Sequence, residues 1–172
     1  AQDIANLAGG LFEVGTGGAA STQRVGSGTA SGNTSTISGG DTNEASGGVS
    51  AIGGGINNTA SGNTTTIGGG SENTASGDQS TISGGYGNTA SDYRSTVGGG
   101  YGNNASGYTS VVSGGTYNTS QGDYSIISGG YQNTATGQYA TVGGGYGNTA
   151  SGQGSVVNNG YSNTASGYQS TV

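Results

Sequence analysis

Cysteine, histidine, methionine, tryptophan, proline and lysine are all absent from this chain, and Arg24 and Arg94 are its only basic residues. Without Cys or His there is no thiol nucleophile, no imidazole base and no set of soft metal ligands, so most nucleophilic and metal chemistry is excluded. The eight acids, Asp3, Glu13, Asp41, Glu44, Glu72, Asp78, Asp92 and Asp123, form no recurring carboxylate pair. The chain therefore reads as no enzyme, and no catalytic residue, metal or cofactor is expected. The lack of Pro rules out collagen, and no apolar run approaches the roughly 18 residues of a helical membrane span. A formal charge of −6 with two cations cannot neutralise a phosphate backbone or an anionic bilayer, so neither nucleic acid nor a membrane is an expected partner. Opening on Ala1, Gln2 and Asp3 without Met fits a secreted product after removal of its signal, although an arbitrary chain boundary would read the same. With the Ser, Thr, Gly and Asn content, this predicts an extracellular or cell-surface location.

Glycine contributes 42 of 172 residues and only 6% are charged, which by bulk composition borders on low complexity. The phase of the sequence argues otherwise. An aliphatic residue returns every fifteenth position, at Ile37, Ile52, Ile67, Ile82, Val97, Val112, Ile127, Val142, Val157 and Val172. A Gly column runs with it from Gly40 to Gly160, and an Asn column from Asn43 to Asn163. A fixed period shorter than any independent domain predicts a solenoid, whose units bury their apolar sides only by stacking on one another.

Within a unit, Ser35-Thr36-Ile37 has the β-branched density of a strand, and alternation turns Ser and Ile inward and Thr outward. A Gly pair then makes a corner where positive φ carries no steric penalty. The second block, such as Asn148-Thr149-Ala150-Ser151, places Asn and Ala inward. Variable residues such as Asp78-Gln79 or Tyr93-Arg94 close the unit. Each coil is thus two short parallel strands and two turns, and ten coils at about 4.8 Å give a rod roughly 50 Å long. The Asn column reads either as an amide ladder along the axis or as a left-handed turn position. The core is thin, so burying a further face against another copy would stabilise the rod.

Residues 1–17 stand outside the repeat, and 18–172 form the solenoid. Ile4, Leu7, Ala8 and Leu11 have helical spacing, and Leu11 to Val14 then read as a strand. This segment reads either as a cap over the first coil or as a docking plug for another subunit. Residues 18–32 resemble a degenerate first coil, with Ala20 and Thr22 in the phases of Ser and Ile.

Three surface features remain. Gly84 to Thr89 approximates a calcium-binding nonapeptide, but Thr stands in place of the Asp ligand and the period differs. Tyr recurs at Tyr86, Tyr101, Tyr131, Tyr146 and Tyr161, with Tyr93, Tyr108 and Tyr168 at the other corner and Tyr117, Tyr124 and Tyr139 beside them. Such rings grip a glycan or a neighbouring rod, or stack on one another to stiffen the corners. The third feature is a Thr-x-Ser array, Thr59/Ser61, Thr74/Ser76, Thr89/Ser91, Thr149/Ser151 and Thr164/Ser166. Its hydroxyls repeat at about 4.8 Å by about 6.7 Å, a lattice suited to ordering water at ice, or simply a solvated strand surface.

Units of the form Asn-Thr-Ala-Ser-Gly-x-x-Ser-Thr-Val-x-Gly-Gly, from Gly28 to Val172, resemble the head repeats of trimeric autotransporter adhesins and related fibre proteins. The resemblance implies a left-handed parallel β-roll that displays a binding surface. The sequence lacks the neck, heptad stalk and anchor barrel of that family. The expected protein is an all-β solenoid serving as a subunit of a surface fibre. Its copies would join end to end through Ile4, Leu7, Leu11, Phe12 and Val14 at one end and Val157 and Val172 at the other. The alternatives are an adhesin head that binds glycan or matrix through its tyrosines, and an ice-binding protein.

Overall fold

A computed structural model describes residues 12–14, 22–24 and 27–172. Every described element is a β-strand or a turn. After β1 (Phe12–Val14) and β2 (Thr22–Arg24), strands of two residues alternate, beginning with β3 (Thr29–Ala30) and β4 (Thr36–Ile37). They sort into one 11-stranded and one 10-stranded sheet, and from β2 onward each skips every other strand in the chain, the signature of a coil wound about an axis. About nine turns result. From β3 onward neighbouring coils pair in parallel at a constant offset of fifteen: Ile82 lies beside Val97 in one sheet and Ala90 beside Ala105 in the other.

The alternation read from the sequence sets the burial. Ser35, Ile37, Asn148 and Ala150 are buried, while Thr36 and Thr149 face outward and are partly exposed. The aliphatic column from Ile37 to Val157 and the alanines of the second strand make one continuous core.

The Asn column is an amide ladder. Asn58 donates through Nδ2 to Asn43 Oδ1 at 3.1 Å, and its backbone N–H reaches the same oxygen at 3.0 Å. Its Nδ2 also meets the carbonyls of Gly54 and Gly70. None of these asparagines has positive φ, so the turn alternative does not apply. The Gly corner takes the expected backbone, with φ of +95° at Gly55.

The coil has a third hydrogen-bonded side that the two-strand reading omits. Asp41, Ile56, Ser71, Tyr86, Tyr101, Thr116, Tyr131, Tyr146 and Tyr161 are linked in sequence by one-residue parallel bridges. The residue after each bridge is left-handed, as at Glu72 (φ 58°) and Tyr117 (φ 55°), and its N–H returns to the preceding coil: Tyr117 donates to the Tyr101 carbonyl at 2.9 Å.

The first coil departs from the expected phase. β1 pairs antiparallel with β2, and β2 pairs with β4 so that Thr22 faces Thr36 and Gln23 faces Ile37. Gln23, not Thr22, thus occupies the aliphatic phase. The connection from β2 to β3 is one residue shorter than in later coils, which shifts the phase of everything before it. The strand expected from Leu11 to Val14 is present at Phe12–Val14. The helical spacing of Ile4, Leu7 and Leu11, together with Ala20, lies outside the described residues.

Candidate binding surface

Because each coil adds one residue to each column at a fixed rise, a repeated tyrosine must stack on its counterpart. Tyr86 and Tyr101 lie 5.2 Å apart between ring centroids, with planes 10° from parallel. Tyr131, Tyr146 and Tyr161 continue the column at 5.2 and 5.0 Å. Thr116 breaks the register, and Tyr117 from the adjoining left-handed position fills the gap, meeting Tyr101 edge-on at 5.1 Å and Tyr131 at 6.1 Å. The structure therefore brings all five expected residues, Tyr86, Tyr101, Tyr131, Tyr146 and Tyr161, into one exposed ring chain joined by Tyr117. Tyr117 stands in a column that holds Gly at positions 87, 102 and 147; glycine recurring at one phase was the signal that this phase is left-handed.

The other corner carries a second run. Tyr93 stacks on Tyr108 at 5.3 Å, Tyr108 meets Tyr124 edge-on at 5.4 Å, and Tyr124 stacks on Tyr139 at 5.1 Å. Arg94 lies 4.8 Å from the Tyr93 ring centre, a cation over an aromatic face, and its Nε–H donates to Gln79 Oε1 at 2.9 Å.

Three phenols ionise above their ordinary range. The hydrogen bond with the Glu72 carboxylate holds up Tyr86, followed by loss of hydration. Tyr117 is raised first by its hydrogen bond with Tyr101, and Tyr124 first by loss of hydration. In each case the neutral ring is favoured.

The remaining sequence features fall as follows. The Thr-x-Ser array lies on the outward face of the 10-stranded sheet, but Glu44, Asn104 and Gln121 interrupt it. What remains is the single pair Thr29/Ser31 and two runs of three coils, Thr59 to Ser91 and Thr134 to Ser166, the second opening on Thr134/Thr136. Of the residues expected at the C-terminal joint, Val157 is wholly inside the core, whereas Val172 is 51% exposed. Among the described residues, no group of three metal-ligating side chains converges and no helix is long and apolar enough to cross a membrane.

Residues 35–47, from the inward Ser35 to the corner Gly47, match the family described as the Ubiquitous surface protein adhesin repeat. The chain is similar to a surface-adhesin repeat. That match and the parallel solenoid agree with the resemblance carried by the repeat units. No curated protein matches the chain.

Proposed function

We propose that this adhesin-like solenoid is a non-enzymatic structural rod of an extracellular or cell-surface fibre, in which copies stack end to end. The supporting observation is the polarity of the coil. Outward strand residues donate forward, as Thr149 does to the Asn163 carbonyl at 2.8 Å, while left-handed residues and the inward strand phase donate backward, as Ser162 does to the Tyr146 carbonyl and Val172 to the Val156 carbonyl, each at 2.9 Å. The forward face of one coil thus matches the backward face of the next. Such a heterologous contact propagates as a filament when its rotation does not close. The apolar residues Ile4, Leu7, Leu11, Phe12 and Val14 supply the joint on one side, and the coil bearing Val172 supplies the other. Electron microscopy tests this reading: the intact chain should form filaments, and deletion of residues 1–17 or Thr164→Pro, which removes a forward N–H, should leave short rods. Filaments from both variants would overturn it.

The exposed ring chain favours a second reading, adhesion to glycan or matrix through the tyrosines. Changing Tyr101, Tyr131 and Tyr146 together to Ser dismantles the stack, and undiminished adhesion would reject that surface. The ice-binding alternative has less support, because the hydroxyl lattice is cut into short runs.

A further inference from the structure

At the second corner the run of rings is broken once. Tyr124 and Tyr139 occupy the left-handed position of successive coils, with φ of 58° and 59°. The next coil places Gly154 there (φ 66°), and the one after it Gln169 (φ 51°), preceded by Tyr168. The missing ring leaves a notch of about 340 Å³ lined by Tyr139, Gln153, Gly154, Tyr168 and Gln169. Tyr139 and Tyr168 bound it from two coils apart, about 9–10 Å at the rise of a parallel sheet.

We propose that this notch binds one neutral pyranose unit of a glycan, held between Tyr139 and Tyr168 with its hydroxyls on the amides of Gln153 and Gln169. The inference rests on the adhesive reading above, at a different corner of the rod. Along one column stacked rings step by 5.0–5.3 Å, and the cross-column pair Tyr108 and Tyr124 at this corner by 5.4 Å, so two coils of rise leave axial room for one inserted ring between Tyr139 and Tyr168. The two exposed phenol rings, 54% and 71% accessible at Tyr139 and Tyr168, offer apolar faces to the C–H face of a sugar. Amides both donate and accept, as sugar hydroxyls do. Gln153 Nε2 donates to Gln138 Oε1 at 3.0 Å, which fixes the orientation of one of them. No lining residue is charged and the chain is net acidic, which selects against sialylated or sulfated units. A partner's aromatic side chain would match the ring faces but leave both amides without complementary groups.

The test is titration of the intact protein with a panel of neutral oligosaccharides, followed by calorimetry and by chemical shifts of the tyrosine rings. Gly154→Tyr closes the notch without a new backbone requirement, since Tyr124 and Tyr139 already hold that conformation. A Cβ at Gly154 meets only the flexible Gln169 side chain, at 3.3 Å. Binding is expected to weaken at least about tenfold in Gly154→Tyr and in Tyr168→Ala, with circular dichroism unchanged, and to survive in the Tyr101, Tyr131 and Tyr146 to Ser variant. Failure of every neutral saccharide to bind, or binding indifferent to Gly154→Tyr, overturns the notch. Loss confined to the triple Ser variant overturns it while leaving adhesion through the ring chain standing. Capture of phenol or indole in place of sugars overturns the ligand assignment.

Discussion

The backbone N–H of Asn103 donates to Oδ1 of Asn88 at 2.9 Å, and the same contact joins each Asn of the column to the next from Asn43 to Asn163. The Nδ2 of Asn88 meanwhile meets Asn73 Oδ1 at 3.1 Å and the carbonyls of Gly84 and Gly100 at 3.1 and 3.0 Å. One buried amide therefore serves three successive coils. Asn88→Ala leaves the buried Asn103 N–H and the part-buried Gly84 carbonyl without this amide. At about 1–3 kcal/mol for the buried N–H left unpaired and about 1 kcal/mol for the part-buried carbonyl, the expected loss is about 2–4 kcal/mol. Denaturant unfolding measures it. Asn88→Asp is expected to cost at least as much at neutral pH, since it removes both donors and directs a negative charge at carbonyl oxygens. A loss below about 0.5 kcal/mol for either variant would show that the ladder is incidental to stability.

Two glycines separate the close approach of coils from backbone conformation. Gly70 has φ +91°, and a Cβ there would sit 2.1 Å from the Gly85 carbonyl oxygen. Gly87 has φ +63°, with open space around the same point. Gly87→Ala pays only for a left-handed residue, about 1–2 kcal/mol. Gly70→Ala must also push two coils apart, so it is expected to exceed about 4 kcal/mol or to abolish folding. Equal melting temperatures for the two variants would contradict the tight stacking.

The aliphatic, Gly and Asn columns could be read directly, because Ile37, Gly40 and Asn43 each recur at one phase and each phase has one environment. The third side of the coil could not be read so easily. A bridge of one residue, such as Tyr86 to Tyr101, has no alternation by which to announce itself. The left-handed positions were hidden because Glu72, Gln79, Arg94 and Tyr139 share no chemistry. Only the glycines at 87, 102, 147 and 154 in the same columns betray the backbone they share. The notch at Gly154 followed from the same omission: a missing ring becomes visible only once Tyr124, Tyr139 and Gly154 are known to occupy one column. The phase slip at Gln23 arose where a connection shortened by one residue, a change that periodicity cannot report at the first coil of the series.

The tyrosines give the rod an alkaline limit. Tyr86, Tyr117 and Tyr124 all ionise above the ordinary 10.0 in the fold, so folding favours their neutral forms. Their contribution is fully present below the unfolded value and is lost as pH rises through the folded values. Stability should thus be insensitive to these groups below about pH 9 and fall above about pH 10. Denaturant melts across that window check the sign, and a gain in stability there would contradict it. Glu72→Gln should bring the Tyr86 transition down towards the ordinary range in an ultraviolet titration, because the hydrogen bond with that carboxylate does most to hold the phenol neutral.

If register specifies this fold, the length of a deletion matters more than its content. Removing residues 86–100 joins Gly85 to Tyr101 and returns every later residue to its own phase, so Ile82 pairs with Val112 as it now does with Val97. The product should fold cooperatively, about 4.8 Å shorter by small-angle scattering, and somewhat less stable, as expected when one nearest-neighbour term is lost from a repeat array. Removing residues 86–99 takes one residue fewer and leaves every later column out of phase by one. The first coil carries a similar one-residue slip at Gln23, but it has an aligned parallel neighbour on one side only. An interior coil must match the Asn ladder, the Gly corner and the aliphatic column on both sides at once. Sliding a strand by one residue would turn its inward set to solvent. The shorter deletion should therefore be the more damaging one, with a broad transition or no folded state, and equal stability of the two products would refute register as the organising constraint.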